Sequence, residues 1–265
     1  MLSTRRMTLV VVTAFAGSAI FLNPEVFASD SPKGKAPAGL RHERLRHQDT
    51  AYDVLWVDPR QASLQLFWRR PNGEPFVNFR NLAQWCAEQG KTLVFATNAG
   101  IYAKDRTPLG FHVAQGETLR PLNKDAGGGN FFMKPNGVFF LGERGAAILE
   151  TNQYAASDHT PTIAVQSGPL LLQQGQIHPR FIPDSDSRYV RNGVGVNADG
   201  EAVFVISILP VNFHDFALLF RDRLDCADAL YLDGAISGMY APFAARWDIG
   251  LEYVGILAVT ERRTS

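Results

Sequence analysis

Residues 229 to 237 read Ala-Leu-Tyr-Leu-Asp-Gly-Ala-Ile-Ser, an apolar run that ends on the carboxylate of Asp233 with Gly234 directly after it. An acid at the end of a strand, uncrowded by the next residue, is a candidate for chemistry. Asp-Gly is also a strong turn pair, so these nine residues alone read either as a turn or as a site. Two other strand ends gather small and polar residues: Asn98, Gly100 and Tyr102 in one, Gln166, Ser167 and Gly168 ahead of Pro169 in the other. If these ends converge with Asp233, Gly234 and Ser237, they make one concave polar site on a rigid scaffold. Glycine at each turn lets backbone N–H groups come close to an anion or a sugar hydroxyl. Singly, each is an ordinary tight turn.

Arg188 and Arg191 flank Tyr189 just before the Asn192-Gly193 step. A guanidinium binds phosphate or carboxylate through two parallel hydrogen bonds, which makes either arginine a candidate oxyanion clamp. Arg191, at the entrance of a strand, is the stronger of the two; Arg188 follows a polar Asp-Ser-Asp-Ser run and reads more readily as a surface charge.

Several chemistries lack their signature. His112, His159, His178 and His214 are widely spaced and no C-x-x-C pair exists, so a zinc site is not expected. Asp184-Ser-Asp186 resembles the start of a calcium loop without its glycine and final glutamate, and reads as a solvated turn. Ser167 is not embedded in G-x-S-x-G, and Gly127 to Gly129 is not followed by the Lys of a phosphate loop. No cofactor is expected; a weak divalent-ion requirement stays open.

The elements that must position these residues follow from periodicity. Tyr52 to Val57 and Ser63 to Trp68 are β-rich runs around Asp58-Pro59-Arg60, the pattern of two strands and a short turn. Leu82, Trp85 and Cys86 fall at helical spacing between Asn81 and Gln89, with Gly90 as terminator, and Thr92 to Thr97 is a continuous apolar run suited to a central strand. From Leu109 to Leu172 short β-rich pieces alternate with glycine turns, which predicts an antiparallel meander. Gly193 to Val196 and Ala202 to Leu209 read as a hairpin. Asn212 caps a helix to about Leu224, and Val254 to Val259 is the last strand. The fold class predicted is α+β, a large mixed, mostly antiparallel sheet with two or three helices.

At 265 residues one large domain is the simplest organisation. Arg5 and Arg6 precede an apolar run from Met7 to Leu22, and Val26-Phe27-Ala28 offers a small-residue cleavage site, so residues 1–28 read as a signal peptide. Thr, Gly and Ser interrupt the run and Asn23-Pro24 follows it, which argues against an uncleaved anchor. No stable membrane span is expected after cleavage, and the protein is expected to be exported, periplasmic or secreted. Residues 29–50 read as a flexible linker and 51–265 as the domain. Formal net charge is zero, which gives no support for nucleic acid as a partner. Cys86 and Cys226, each placed in a helix by its neighbours, are the only cysteines, and in an oxidising compartment a single disulfide is the slightly favoured reading over two buried thiols.

Together the clusters resemble the phosphodiester glycosidase family over roughly Leu93 to Val259. The resemblance rests on Thr97-Asn-Ala-Gly-Ile-Tyr102, on Gln166-Ser-Gly-Pro-Leu170 with Gly175 after it, on Arg191 ahead of Gly193-Val-Gly195, on the Asn212 to Phe220 helix and on Leu232-Asp-Gly-Ala-Ile-Ser237. Gly129 to Phe131 and Lys134 to Val138 are similar to the short bacterial exported branch. The chain departs from the family where Ala235 replaces the second glycine of Asp-Gly-Gly. The resemblance implies an exported hydrolase that cleaves a sugar-1-phosphodiester or a related glycosidic bond of an envelope glycan, with a carbohydrate or sugar phosphate as its partner. In that reading Asp233 is the general base or nucleophile, Arg191 holds the phosphate charge, and Asn98, Ser167 and Ser237 hold sugar hydroxyls, with Gly100, Tyr102, Gln166, Gly168, Arg188 and Gly234 completing the site. The second acid is unassigned among Asp105, Glu117, His112 and His214. The alternative is a carbohydrate-binding or envelope-interaction protein that uses the same pocket without catalysis.

Overall fold

A computed structural model describes residues 35–233 and 236–263. The signal peptide expected at residues 1–28, Gly234 and Ala235 lie outside the described residues. The described chain opens with β1 (Leu40–His47), β2 (Thr50–Val57), β3 (Leu64–Phe67), α1 (Phe79–Glu88) and β4 (Lys91–Asn98). A glycine-rich stretch follows, with β5 (His112–Ala114), β6 (Glu117–Arg120), β7 (Gly137–Gly142), β8 (Gly145–Glu150), the short α2 (Thr151–Ala155) and β9 (Ile163–Ser167). Then come β10 (Leu170–Gln173), β11 (Gln176–Ile177), β12 (Asn192–Asn197), β13 (Ala202–Ser207), α3 (Phe213–Asp222) and β14 (Cys226–Asp233). The chain ends with β15 (Met239–Ala241), β16 (Arg246–Trp247) and β17 (Ile256–Arg262).

The α+β class holds, with the strands distributed among three sheets: β1-β2-β13-β12-β14-β10-β11, β16-β15-β4-β17-β3 and β6-β5-β9-β7-β8. Period-two alternation sends one set of side chains from all three to a shared core that includes Leu55, Phe95, Phe139, Phe204, Leu230 and Leu257. The opposite set on the seven-stranded sheet, Tyr52, Val54 and Tyr231 among them, packs with Phe216 and Phe220 of α3. Phe79, Leu82 and Cys86 of α1 pack with Ala96 and Ala258 of the β4 sheet, and Tyr154 of α2 with Val138 and Phe140 of the third. Both long helices start on an asparagine cap: Asn78 Oδ1 accepts from Asn81 N at 2.8 Å and Asn212 Oδ1 from Asp215 N at 2.7 Å.

Two expectations are corrected, those for the linker and for the cysteines. Residues 40–50 are not linker: β1 pairs with β2 over all eight of its residues, Arg44 and His42 bond the buried Asp53, and Arg41 lies over Trp56. The two strands expected around Asp58 form as β2 and β3, and the turn between them delivers them to different sheets. Cys86 and Cys226 are both free and buried, and Cys226 opens β14 rather than lying in a helix. Each thiol sits in its own apolar cluster, one beside α1 and the other beside α3.

Candidate active site

β4 and β14 end side by side although they belong to different sheets. The Asn98 amide donates to Asp233 Oδ2 at 3.1 Å and to the Ile236 carbonyl at 2.8 Å. Its Oδ1 accepts from the Gly238 backbone N–H at 2.8 Å and from the Asn192 amide at 2.9 Å. Only this amide orientation works, because a backbone N–H can only donate and a carboxylate can only accept. Asn192 also reaches Thr97 Oγ1 at 3.1 Å and the Asn98 carbonyl at 3.0 Å, and takes a 3.3 Å bond from Ser237 Oγ. Thr97, Asn98, Asn192 and Asp233 are all buried, so these hydrogen bonds are what makes a polar group tolerable there.

A β-bulge sets the direction of Asp233. Gly193 stands opposite Tyr231 but Asn192 stands opposite Asp233, so Leu232 is an extra residue in β14. Without it, Asp233 would share the α3 face with Ala229 and Tyr231. The bulge brings its carboxylate to Asn98 instead. Burial raises the hydroxyl pKa of Tyr102, Tyr231 and Tyr253, that of Tyr231 to about 12, and the Asp233 charge adds to each.

Arg191 has a different job from the one expected. It is 1 % exposed, on the α3 face, with its guanidinium 3.7 Å from the Phe213 ring centroid. Nε donates to the Val211 carbonyl and Nη2 to the Ser187 carbonyl, both at 2.8 Å, and Nη1 reaches the Tyr231 hydroxyl at 3.3 Å. Burial lowers its pKa. It staples the 187–191 segment to α3 and β14 and does not face Asn192's side of the sheet.

Gln166 and Ser167 are structural too. Gln166 Oε1 accepts from Phe111 N and Asn123 N, and its Nε2 donates to the Asn123 carbonyl and Thr151 Oγ1. Ser167 Oγ donates to the Leu232 carbonyl at 3.0 Å, tying β9 to the bulged strand. Gly100, at φ +81°, is held by packing, since a Cβ there would lie 2.8 Å from Val165 Cγ2. A Cβ on Gly168 would meet Asn136 Cβ at 2.7 Å. Close packing against neighbouring side chains, together with the positive φ at Gly100, requires glycine at these two positions. Arg188 lines a different cavity and lies 3.6 Å from Asp215.

None of the four groups considered as the second acid reaches Asp233 by a described contact. Asp105 and Glu117 are exposed. His112 is fully buried and burial lowers its pKa to about 4, so it is neutral at pH 7, while His214 lines the same cavity as Arg188. The cleft that carries Ser237 and Ile236, about 390 Å³, instead contains Arg246 and Asp248, walled by Tyr189, Val190 and Leu251. Arg246 Nη1 bonds Asp53 Oδ2 and its Nε bonds Asp248 Oδ2, both at 2.8 Å, and Asp248 Oδ2 also accepts from Met239 N at 2.9 Å. Asp53 takes Arg44 and His42 as well; its pKa is held down by these hydrogen bonds against the opposing effect of its burial. Sequence reasoning missed Asn192, Arg246 and Asp248. The Arg-x-Asp spacing at a two-residue strand is no signal by itself. Among the described residues no three His, Cys, Asp or Glu side chains are placed to hold a metal ion.

The family model for phosphodiester glycosidases matches residues 91–252, a span that contains Asn98, Asn192, Asp233 and Arg246. The chain belongs to the phosphodiester glycosidase family. The protein YigE of Escherichia coli K12 is 38 % identical over 184 residues, which are 69 % of this chain and 72 % of YigE. Among solved structures, the catalytic domain of zebrafish N-acetylglucosamine-1-phosphodiester alpha-N-acetylglucosaminidase, auto-inhibited by its pro-peptide, superposes with a TM-score of 0.60. That match covers 88 % of this chain and 85 % of the zebrafish one at 15 % identity, which shows a shared fold. No helix among the described residues is long and apolar enough to cross a membrane.

Proposed function

We propose that this phosphodiester glycosidase family member is an exported hydrolase that cleaves a sugar-1-phosphodiester or a related glycosidic bond of an envelope glycan. The observation that carries the reading is the Asp233 carboxylate, turned by a bulge onto the Asn98 amide and joined through Asn192 to Ser237 in the cleft. In this proposal Asp233 acts as general base or nucleophile, and Asn98 keeps the charged form in place. Ser237 and Arg246, not Arg191, meet the sugar hydroxyls and the phosphate. A phosphodiester leaves well, which relaxes the demand for a strong acid on the leaving group.

The test is turnover of sugar-1-phosphodiesters and cell-envelope glycans by the purified protein and by Asp233→Asn. Loss of a positioned base typically costs about 10²–10⁴-fold in kcat. Unchanged turnover in a folded Asp233→Asn protein would remove Asp233 from the mechanism. Glycan binding without any turnover by the wild type would favour the non-catalytic carbohydrate-binding alternative.

A further inference from the structure

A second cavity of about 560 Å³ lies between the β1–β2 turn, the 183–188 segment, the 209–211 segment and the first turns of α3. Three polar atoms of its lining have no hydrogen-bond partner among the described residues. Thr50 is 7 % exposed, and its hydroxyl makes no hydrogen bond. His47 Nε2 and His214 Nδ1 are buried and equally unsatisfied, the latter 3.6 Å from Asp215, beyond hydrogen-bond range. Tyr52, itself 1 % exposed, also lines the cavity, and its ionisation is influenced by Asp215 and Arg188 after burial. A buried polar atom without a partner costs about 1–3 kcal/mol. Three of them around one cavity stand ready to hydrogen-bond whatever fills it.

The charges select the class. Arg188 pairs with Asp215 at 3.6 Å and shares the cavity lining with two further carboxylates, Asp49 and Asp184, so a phosphate or other anion meets a net negative wall. A metal ion finds no suitable group of three ligands among the described residues. What remains are hydroxyls and imidazoles that both give and take hydrogen bonds, against an apolar wall of Leu209, Pro210 and Val211. That pairing of alternating donors and acceptors with a C–H-compatible surface suits a neutral polyhydroxylated ring.

We propose that this cavity is a binding site for a neutral saccharide unit, separate from the Ser237 cleft. The two are divided by a strap in which Tyr189 and Val211 exchange backbone hydrogen bonds of 3.1 and 2.8 Å. Tyr189 lines the cleft on one side and Val211 the second cavity on the other. Leu209 and Tyr189 are exposed at 56 % and 55 %, which leaves an apolar crest for a longer glycan to cross.

The experiment is NMR of the intact protein labelled at histidine nitrogens, with His47 and His214 assigned by their glutamine variants. It would be titrated with maltotriose, cellotriose and chitotriose, with inorganic phosphate and Ca²⁺ as separate arms. A saturable shift of both imidazoles with at least one neutral trisaccharide is expected. Thr50→Val should weaken it at least about 5-fold, the cost of about one hydrogen bond. Leu209→Ala, an exposed change that leaves the fold alone, should weaken it by a smaller factor. Asp233→Asn should bind as the wild type does, even if the hydrolytic reading fails. No response to any of the three sugars, or a response only to phosphate or Ca²⁺, would overturn the proposal.

Discussion

Asn98→Asp replaces the amide that faces Asp233 with a carboxyl of the same shape. In the wild type the two side chains lie 3.1 Å apart, with a donor on the Asn98 side. Two charged carboxylates at that distance repel by about 5 kcal/mol at an effective dielectric of about 20, equivalent to about 4 pH units. One of them therefore holds a proton, and the pair titrates as a unit. Its folded-state pKa rises above the unfolded value of about 4, so the folded protein binds more protons. The extra stability is present at low pH and disappears as pH rises through the folded pKa. Relative to wild type, Asn98→Asp is expected to lose about 3–5 kcal/mol near pH 7.5 and only about 1 kcal/mol near pH 4.5, measured by urea unfolding at both. Asn98→Ala separates charge from hydrogen bonding. It leaves the Gly238 N–H and Ile236 carbonyl without their partner, costing about 1–3 kcal/mol for each group at either pH. If Asn98→Asp has the wild-type pH dependence, the Asn98 and Asp233 side chains are not in contact and the site is wrongly assembled.

Arg191→Lys should cost about 2–4 kcal/mol in unfolding experiments, because an ammonium cannot serve the Val211 carbonyl, Ser187 carbonyl and Tyr231 hydroxyl together. Its KM for a phosphodiester substrate should stay unchanged; a large rise in KM with stability intact would restore the phosphate role. Asp53→Asn should cost about 3–5 kcal/mol near neutral pH by removing the buried carboxylate that pairs with the largely buried Arg246 and with Arg44. Because the folded Asp53 pKa is depressed, wild-type stability from this group is lost as pH falls below about 4, and the gap between the two proteins should close in acid. Burial raises the thiol pKa of Cys86 to about 11 and of Cys226 to about 12, so a thiol reagent should find nothing in native protein and two thiols in unreduced, denatured protein. No thiol in the unreduced denatured sample would establish a disulfide.

Elements with a clean apolar period were legible. The run from Thr92 to Thr97 is the centre of its sheet as β4, and the hairpin at Asn197 to Gly200 and the helix capped by Asn212 lie where their turn and cap residues place them. β1 was not legible, since Leu40–His47 is mostly arginine, histidine and glutamate, the composition of a mobile arm. Its strand character comes from β2, which offers eight backbone partners, and from Asp53, which draws in Arg44 and His42. Both belong to tertiary structure.

The site shows the same division more sharply. Asp233 and Asn98 each end an apolar run, so one-dimensional reading finds them. Choosing Arg191 over Asn192 is a question of which face each presents, and adjacent residues of a strand face opposite ways. Gly193 and Gly195 decide it: a Cβ on either would meet Phe216 or Phe220 of α3. Odd positions of this strand therefore face the helix, which puts Arg191 there and sends Asn192 to Asp233. The even and odd faces of β12 could have been read from that glycine spacing together with the aromatic stripe of the helix. The bulge at Leu232 could not, because nothing in Tyr231-Leu232-Asp233 marks an extra residue. Regular alternation would turn Asp233 toward α3, beside Tyr231, with no path to Asn98. The family motif survives as sequence whichever way the side chain points, so the carboxylate's candidacy rests on a register shift that only the pairing of β12 with β14 reveals.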